Sequence, residues 1–447
     1  MNYLNTNTPL LLFQKNLNSE IYVDKSLLIE KISKYINTGD CYICITRPRR
    51  FGKTINATML GSYYTKGYES HKLFHNLSIA GTKMYEKHLN QHNVIYIDFS
   101  RMPDFCNSYC DYITNILSGL KEDLLEYYPH LKKKEYTSLS QMLKETTDTF
   151  IFILDEWDSI FYKKFVTIDD KTDYILLLKE LLKDQPYVEL AYMTGVLPIA
   201  KYSSGSELNM FHEYNFMNDC IYEEFFGFNE DEVKNLCLKH NSVNYEDLQK
   251  WYDGYYLSNG THLFNPRSVH AALRDGVCLN YWTETGPMNE IADCIEHNVD
   301  EVRDDIVKMV AGIPVEVELN GYSAAELELN TRDEILSAMV VYGFLSYYDG
   351  YLRIPNHELM EKYQKVLSRD SFGEVKEIVD RSKEMLEATL AEDEHKVGHS
   401  SEEALQQIKD KNYMQKVEHC NEILLVGINY DKKKHHECKI ERITNRE

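Results

Sequence analysis

The chain has 447 residues, of which 43% are hydrophobic and 27% charged, so it has the length for two or three globular domains and is neither disordered nor fibrous. Its 49 Lys and Arg residues against 71 Asp and Glu residues give a net charge of −22, which argues against the broad basic face needed to wrap duplex DNA. A small local basic groove remains compatible with this charge balance. The acidic balance nevertheless fits protein partners better than extensive contact with nucleic acid.

The sequence also indicates a compartment. Ten cysteines are too sparse for a disulfide scaffold, which favours a reducing cytoplasm. The N-terminal stretch has a short apolar patch without a charged leader, so we do not expect a secretory signal. Because no apolar run approaches the roughly 20 residues of a membrane span, we expect no membrane segment. The prediction is a cytoplasmic protein.

Four short, nearly continuous apolar runs in the first half predict the buried strands of a parallel α/β sheet. They are Cys41–Thr46, Val94–Phe99, Phe150–Leu154 and Val188–Thr194. Helical patterns lie between them, and the first begins near Lys53. Another, TDYILLLKELLKD, has an apolar helical face. That face consists of Ile175, Leu176, Leu178, Leu181 and Leu182.

After about Tyr222 the pattern changes to successive helical segments with few strands: EDEVKNLCLKH, YEDLQKWY, EVRDDIVKMV and TRDEILSAMVVYGFL. We therefore predict a first domain over residues 1–222 and a smaller, mainly helical domain, of the lid or winged-helix kind, over 223–385. The tail, 386–447, contains a helix, SEEALQQIKDKNYMQKV, and a strand, NEILLVGINYD. A lone helix with a strand or two cannot bury a core of its own, so we interpret the tail as a remnant.

The first strand runs directly into a basic loop, RPRRFGKT, which a helical stretch follows. Gly52, Lys53 and Thr54 fit the P-loop pattern G-x-x-x-x-G-K-[ST], whereas Arg47 stands at the place of the first glycine. In such a loop the glycine lets the backbone approach a phosphate, the lysine reaches the β- and γ-phosphates, and the threonine binds Mg²⁺. The alternative is a basic turn before a helix. We favour a nucleotide site, and expect these loop residues to contact ATP: Arg49, Arg50, Phe51, Gly52, Lys53 and Thr54.

Further along the chain, the strand Phe150–Leu154 ends in the acidic stretch DEWD. In P-loop ATPases a strand-end Asp supports Mg²⁺ and a following Glu polarises the attacking water. We therefore predict that Asp155 and Thr54 hold Mg²⁺ and that Glu156 is the catalytic base; an ordinary acidic turn is the alternative. Thr194 ends the last strand and is predicted to touch the γ-phosphate or the water, although a plain strand-to-loop turn fits its spacing equally well.

Ten motifs in order over roughly residues 5–380 resemble those of the prokaryotic AAA-ATPase-like proteins fused to a PD-(D/E)xK-type nuclease domain. They are YVDKSLLI, TRPRRFGKT, VIYIDFS, FILDEWD, MTGVLPIAK, FFGFNEDEV, WYDGYY, FNPRSV, YWTETG and IPNHEL. The resemblance implies a P-loop NTPase sheet of the ASCE type. It also implies Lys53 and Thr54 at the triphosphate and Mg²⁺, Asp155 as the metal-site acid, Glu156 as the base and Thr194 as a sensor. An arginine-rich P-loop is normal in this family. For the aspartate of VIYIDFS, Asp98, we favour a structural hydrogen bond over a role in the nucleotide pocket.

The tail departs from the family pattern. Family members carry a strand block with a metal-binding Asp and an E-x-K before an A-x-x-Q-I-x-x-K-x-Y segment. Here that segment, Ala404–Tyr413, follows almost directly on the preceding helix. The resemblance therefore implies a truncated nuclease-like domain whose activity is lost. Asp431, Glu437 and Lys439 imitate D…E-x-K, but they lie beyond the closing segment, and we interpret them as part of a polar hairpin.

Three functions stay open at this point. The first is Mg²⁺-dependent ATP hydrolysis that drives a conformational switch of the helical domain. The second is a non-hydrolysing nucleotide-binding switch or scaffold for a protein partner, and the third is an ATP-regulated DNA nuclease, which requires the missing strands. We favour the ATPase because a module that only binds nucleotide does not need Glu156. A protein partner or a homo-oligomer is expected.

Overall fold

The computed structural model describes residues 2–199, 207–217, 219–282, 302–317 and 331–367, together with the backbone of two strands, 422–430 and 436–444. Contacts divide the chain into two units, Met1–Tyr363 and Gln364–Glu447. Neither unit ends at the boundaries predicted after residues 222 and 385, and the three-domain division stays a prediction.

A five-stranded parallel sheet lies at the centre of the first unit, with the strand order β2-β3-β4-β1-β5. The predicted parallel α/β fold is confirmed. One strand, β4, separates the P-loop strand β1 from the acidic strand β3, which is the ASCE order that the resemblance implies. The strands are β1 (Tyr42–Thr46), β2 (Asn93–Asp98), β3 (Phe150–Asp155), β4 (Val188–Gly195) and β5 (His212–Tyr214).

The central strands follow from their composition, whereas the edge strand does not. Every residue of β3 and β4 is buried, as expected for strands that neighbours cover on both faces. β5 was missed because it has only three residues, HEY, none of them buried. It pairs in parallel with β1, where Ile43 lies opposite His212 and Ile45 opposite Tyr214. A short, polar strand of this kind is typical of a sheet edge.

Helices connect the strands of this sheet. They are α1 (Thr8–Leu17), α2 (Leu27–Ser33), α3 (Lys53–Tyr64), α4 (His71–Phe74), α5 (Tyr85–His88), α6 (Tyr109–Tyr127), α7 (Leu139–Glu145) and α8 (Ile168–Leu182). α3 begins at Lys53, as predicted. On α8 the predicted apolar face is buried except for Leu176, which is 40% exposed. At 3.6 residues per turn, Leu176 falls on the side opposite Leu178 and Leu182.

Helices also predominate among the described residues after 222, as predicted. They are α9 (Glu230–His240), α10 (Tyr245–Tyr252), α11 (Pro266–Asp275), α12 (Val302–Val310), α13 (Arg332–Val341) and α14 (His357–Leu367). α13 stops short of the predicted VYGFL end because Gly343 adopts a φ of +80°, which is incompatible with a right-handed helix. Two small antiparallel sheets accompany these helices, β6-β7 and β8-β10-β9. Their strands are β6 (Tyr255–Tyr256), β7 (His262–Leu263), β8 (Val315–Glu316), β9 (Ser346–Tyr348) and β10 (Tyr351–Arg353).

The second unit contains an antiparallel pair, β11 (Glu422–Tyr430) and β12 (His436–Thr444). The predicted strand NEILLVGINYD is therefore confirmed. Glu437 and Lys439 lie on β12, opposite Asn429 and Gly427. Asp431, the segment between residues 394 and 401, and the predicted helix that begins at 401 lie outside the described residues.

A chain of buried hydrogen bonds joins two histidines to the start of β4. The Nδ1 atom of His88 lies 3.0 Å from Nε2 of His92, and Nδ1 of His92 lies 2.9 Å from Oε1 of Glu189. Burial lowers the pKa of His88 from 6.5 to about 4, and the neighbouring His92 and Lys87 act in the same direction. His88 is therefore neutral in the folded protein at physiological pH.

This pKa predicts acid destabilisation. Because the folded-state pKa of His88, about 4, is below its ordinary 6.5, the unfolded chain binds more protons as the pH falls through 6.5, and stability drops toward pH 4. His88→Gln removes this titration while its amide can still donate to His92. Between neutral pH and about pH 5, we expect the melting temperature of the variant to fall less than that of the wild type. Equal slopes for wild type and His88→Gln would contradict the assignment.

Candidate functional site

The loop between β1 and α3 ends at Gly52, which caps α3 with a φ of +90°. Glycine adopts this backbone conformation without strain, and at this position no atom lies within 4 Å of where a Cβ would stand. Gly52 and the first two residues of α3, Lys53 and Thr54, line a cavity next to the loop. A helix N-terminus with free N–H groups favours an anion such as phosphate.

The ammonium of Lys53, the first residue of α3, lies against this loop. The Lys53 side chain is 3% exposed, and its ammonium donates hydrogen bonds to the carbonyl oxygens of Arg47 (3.1 Å) and Pro48 (3.2 Å). The same Nζ atom lies 3.5 Å from Oε1 of Glu156. The fold thus brings the predicted phosphate-binding lysine next to the predicted base, although the two residues follow strands β1 and β3, which are not neighbours in the sheet.

Asp155 is fully buried at the carboxyl end of β3. Its Oδ1 accepts a hydrogen bond from the Thr194 hydroxyl (3.2 Å), whereas Oδ2 has no hydrogen-bond partner among the described residues. Burial raises the pKa of Asp155 to about 7, with Glu156 and Asp98 adding to the rise, while the Thr54 hydroxyl and Lys53 lower it. The buried Oδ2 of Asp155 and the hydroxyl of Thr54 are both hard oxygen ligands of the kind that Mg²⁺ requires.

Glu156 follows with a φ of +53°, in the left-handed region that non-glycine residues seldom occupy. Its side chain is 25% exposed, in contrast to the buried Asp155, and it lines the cavity next to the P-loop. Strained backbone of this kind is concentrated at functional sites. The turn at Glu156 separates two neighbouring acids, one turned inward and one toward the cavity.

In the structure, Thr194 contacts Asp155 through a hydrogen bond between their side chains. Its side chain is fully buried, its hydroxyl binds the Asp155 carboxylate, and its carbonyl oxygen accepts from the Trp157 amide (2.9 Å). Thr194 therefore orients the predicted metal-site acid; its contact with a γ-phosphate stays a prediction.

Arg47, which stands where the first P-loop glycine is expected, has a structural role. Its buried guanidinium pairs with Asp219, donates to the carbonyl oxygen of Tyr214 (3.0 Å) and packs on the ring of Phe226 (5.1 Å). The side chain ties the loop to the segment that follows β5. A glycine could not make this connection.

A cavity of about 460 Å³ adjoins the P-loop, a volume within the range of roughly 300–1,000 Å³ typical of small-molecule sites. Arg50 to Asn56 and Glu156 line one part of it. Other parts of the chain supply an apolar lining: Ile21, Tyr22, Val23, Phe228 and Pro266. The spacing of these residues along the chain did not reveal that they would share a cavity with the loop.

α11 contributes two further polar side chains to this cavity, Arg267 and His270, which sequence reasoning missed. Burial lowers the pKa of Arg50, and the like charge of Arg267 lowers it further. Asn265 caps α11 by accepting from the amides of Arg267 (3.0 Å) and Ser268 (3.2 Å). The motif FNPRSV was the available signal, because it contains this cap and the arginine.

The other loop residues are placed differently. The ring of Phe51 is fully buried and packs edge-on against Tyr255 (5.0 Å), while the guanidinium of Arg49 lies over the ring of Tyr162 (5.5 Å). Contacts of Phe51 and Arg49 with nucleotide stay predictions. Asp98 accepts hydrogen bonds from Ser100 and Arg101, which confirms the structural hydrogen bond expected for it.

Sequence reasoning assigned no role to Asp158, the last acid of DEWD. It is fully buried, and its carboxylate accepts the amides of Val196 (3.2 Å) and Leu197 (2.9 Å), which follow β4. Burial raises its pKa to about 6, and Glu156 adds to the rise. A Cβ on Gly195 would lie 2.5 Å from Oδ1 of Asp158, so the glycine makes this approach possible. Asp158 thus fixes the end of β4 beside the acidic turn.

Residues 13–204 match the sequence model of a family described as predicted AAA-ATPase. This part of the chain is similar to an ATPase. The matched range is less than half of the chain but includes Lys53, Thr54, Asp155, Glu156 and Thr194.

Two solved structures are similar at low identity. The Walker-type ATPase PABY2304 of Pyrococcus abyssi is 12% identical, with a TM-score of 0.36, over 76% of this chain and 94% of that chain. The ORC2 protein of Aeropyrum pernix, solved as ADPNP and ADP complexes, is 11% identical, with a TM-score of 0.33, over 79% of this chain and 97% of that chain. No curated protein matches this chain. Among the described residues, no helix is long and apolar enough to cross a membrane.

Proposed function

We propose that the protein binds ATP with Mg²⁺ and hydrolyses it. The observation that carries the proposal is the convergence of three groups at one end of the sheet. Lys53 lies 3.5 Å from Glu156, and beside them Asp155 presents a buried oxygen that has no partner among the described residues. A cation for phosphate, an acid for metal and an acid for water are the parts that phosphoryl transfer to water requires.

Each residue has a distinct role in this proposal. The loop amides and Lys53 bind the β- and γ-phosphates, where the ammonium offsets their negative charge. Thr54 and Asp155 hold Mg²⁺, which when bound neutralises phosphate charge and orients the triphosphate. Glu156 accepts a proton from water as the water oxygen bonds to the γ-phosphorus and the bond to the bridging oxygen breaks, which yields ADP and phosphate.

The contact between Lys53 and Glu156 also supports the second candidate, a non-hydrolysing switch. A glutamate that stays paired with the P-loop lysine is not available as a base. Calorimetry with MgATP together with steady-state phosphate release, with and without DNA, tests both functions. Binding with phosphate release supports the ATPase, binding without release supports the switch, and the absence of binding contradicts both.

We further propose that the chain does not cleave DNA. A metal-dependent nuclease needs clustered carboxylates and a lysine placed around one ion. On β12, Glu437 and Lys439 are opposite Asn429 and Gly427 in the strand register, and neither of these partners supplies a carboxylate. We expect supercoiled plasmid to stay intact with the protein, Mg²⁺ or Mn²⁺, and ATP. Cleavage that Glu437→Ala abolishes and Glu441→Ala preserves would overturn this prediction.

A further inference from the structure

We propose that the turn after α13, residues 342–345, positions the P-loop, so that ATP binding and the docking of this turn stabilise each other. The inference rests on the proposed nucleotide site and adds a positioning element to it. The turn lies almost 300 residues after the loop in the sequence, yet two separate contacts join them.

The first contact runs through Pro48. The carbonyl oxygen of Pro48 accepts a hydrogen bond from Lys53, and its ring packs on the backbone of Gly343. A Cβ on Gly343 would lie 2.7 Å from Cβ of Pro48 and 3.3 Å from the ring of Trp282. No side chain fits between the turn and the loop, so the position of Gly343 determines where the Pro48 carbonyl can lie.

The second contact runs through Phe51. Its ring packs edge-on against Tyr255, with 5.0 Å between centroids, and the Tyr255 hydroxyl donates a hydrogen bond to the carbonyl oxygen of Gly343 (3.2 Å). Phe51 directly precedes Gly52, which caps α3. The loop is thus held at two points before α3, Pro48 and Phe51, and both contacts lead to the same glycine.

These contacts couple the turn to the proposed phosphate site. Pro48, Phe51, Tyr255 and Gly343 are all buried, and a close-packed interior transmits a displacement instead of absorbing it. A shift of the turn therefore moves the Pro48 carbonyl oxygen, which accepts a hydrogen bond from Lys53. By thermodynamic linkage, a ligand that fixes the loop must stabilise the docked turn by the same free energy.

Gly343→Ala and Gly350→Ala form a matched pair of variants for the test. The two glycines have nearly equal φ values, +80° and +82°, so alanine introduces similar backbone strain at both. Only Gly343 faces the loop, since nothing lies within 4 Å of a Cβ at Gly350. We expect Gly343→Ala to weaken MgATP binding in calorimetry by roughly ten-fold or more relative to Gly350→Ala.

Hydrogen exchange provides the reciprocal measurement. MgATP should slow amide exchange over residues 332–345 of the wild type but not of Lys53→Ala. If Gly343→Ala does not fold, Tyr255→Phe, which removes only the hydroxyl, and the exchange experiment still test the proposal. Equal ATP affinity for both glycine variants, or unchanged exchange in a wild type that binds ATP, would overturn this inference and leave the proposed function standing. A wild type that fails to bind ATP would instead contradict the proposed function.

Discussion

Lys53→Ala is expected to lower the affinity for MgATP by about ten- to hundred-fold. The ammonium is almost fully buried, with a side chain 3% exposed, and in the proposed complex it faces several phosphate charges. In such surroundings a charge-assisted hydrogen bond contributes roughly 1.5–3 kcal/mol, which corresponds to this loss. The measurement is calorimetric titration with ATP and Mg²⁺.

Two controls make this result interpretable. Lys164→Ala removes an exposed lysine outside the cavity and should leave the affinity unchanged. Circular dichroism must show that Lys53→Ala is folded, because the variant deprives the carbonyl oxygens of Arg47 and Pro48 of their donor. Equal ATP binding by wild type and folded Lys53→Ala would remove the P-loop assignment.

Glu156→Gln is expected to retain ATP binding and to lower turnover by roughly 10²–10⁴-fold, the usual contribution of a positioned general base. The amide keeps the size and hydrogen-bonding shape of the side chain but cannot accept a proton from water. The substitution also removes a negative charge that helps to raise the pKa of Asp155, so the metal-site acid should ionise more readily. The measurement is phosphate release at saturating ATP.

Asp155→Asn is the comparison that separates the two acids. Since Asp155 is the buried one and Glu156 the one that lines the cavity, the asparagine variant should lose the Mg²⁺ dependence of ATP binding while the glutamine variant keeps it. The reverse pattern, with Asp155→Asn harmless and Glu156→Gln deficient in metal binding, would exchange the two roles.

Some features follow from the sequence because they are local. Nearly continuous apolar runs of five to seven residues specify the buried strands β1 to β4, and each strand lies within one residue of its predicted bounds. The order glycine, lysine, threonine after a strand specifies where α3 begins, and DEWD marks the end of β3. In these cases the residues that form a feature are neighbours in the chain, so their spacing predicts it.

The tertiary structure decides the contacts between distant residues. Arg47 occupies a position that the P-loop pattern reserves for glycine, and only the fold shows that its guanidinium pairs with Asp219. Arg267 shares a cavity with the loop, and Gly343 packs on Pro48, for the same reason: distant segments become neighbours only when a common core forms. Spacing along the chain contains no signal for such pairs, because burial and shape, rather than periodicity, determine which surfaces meet.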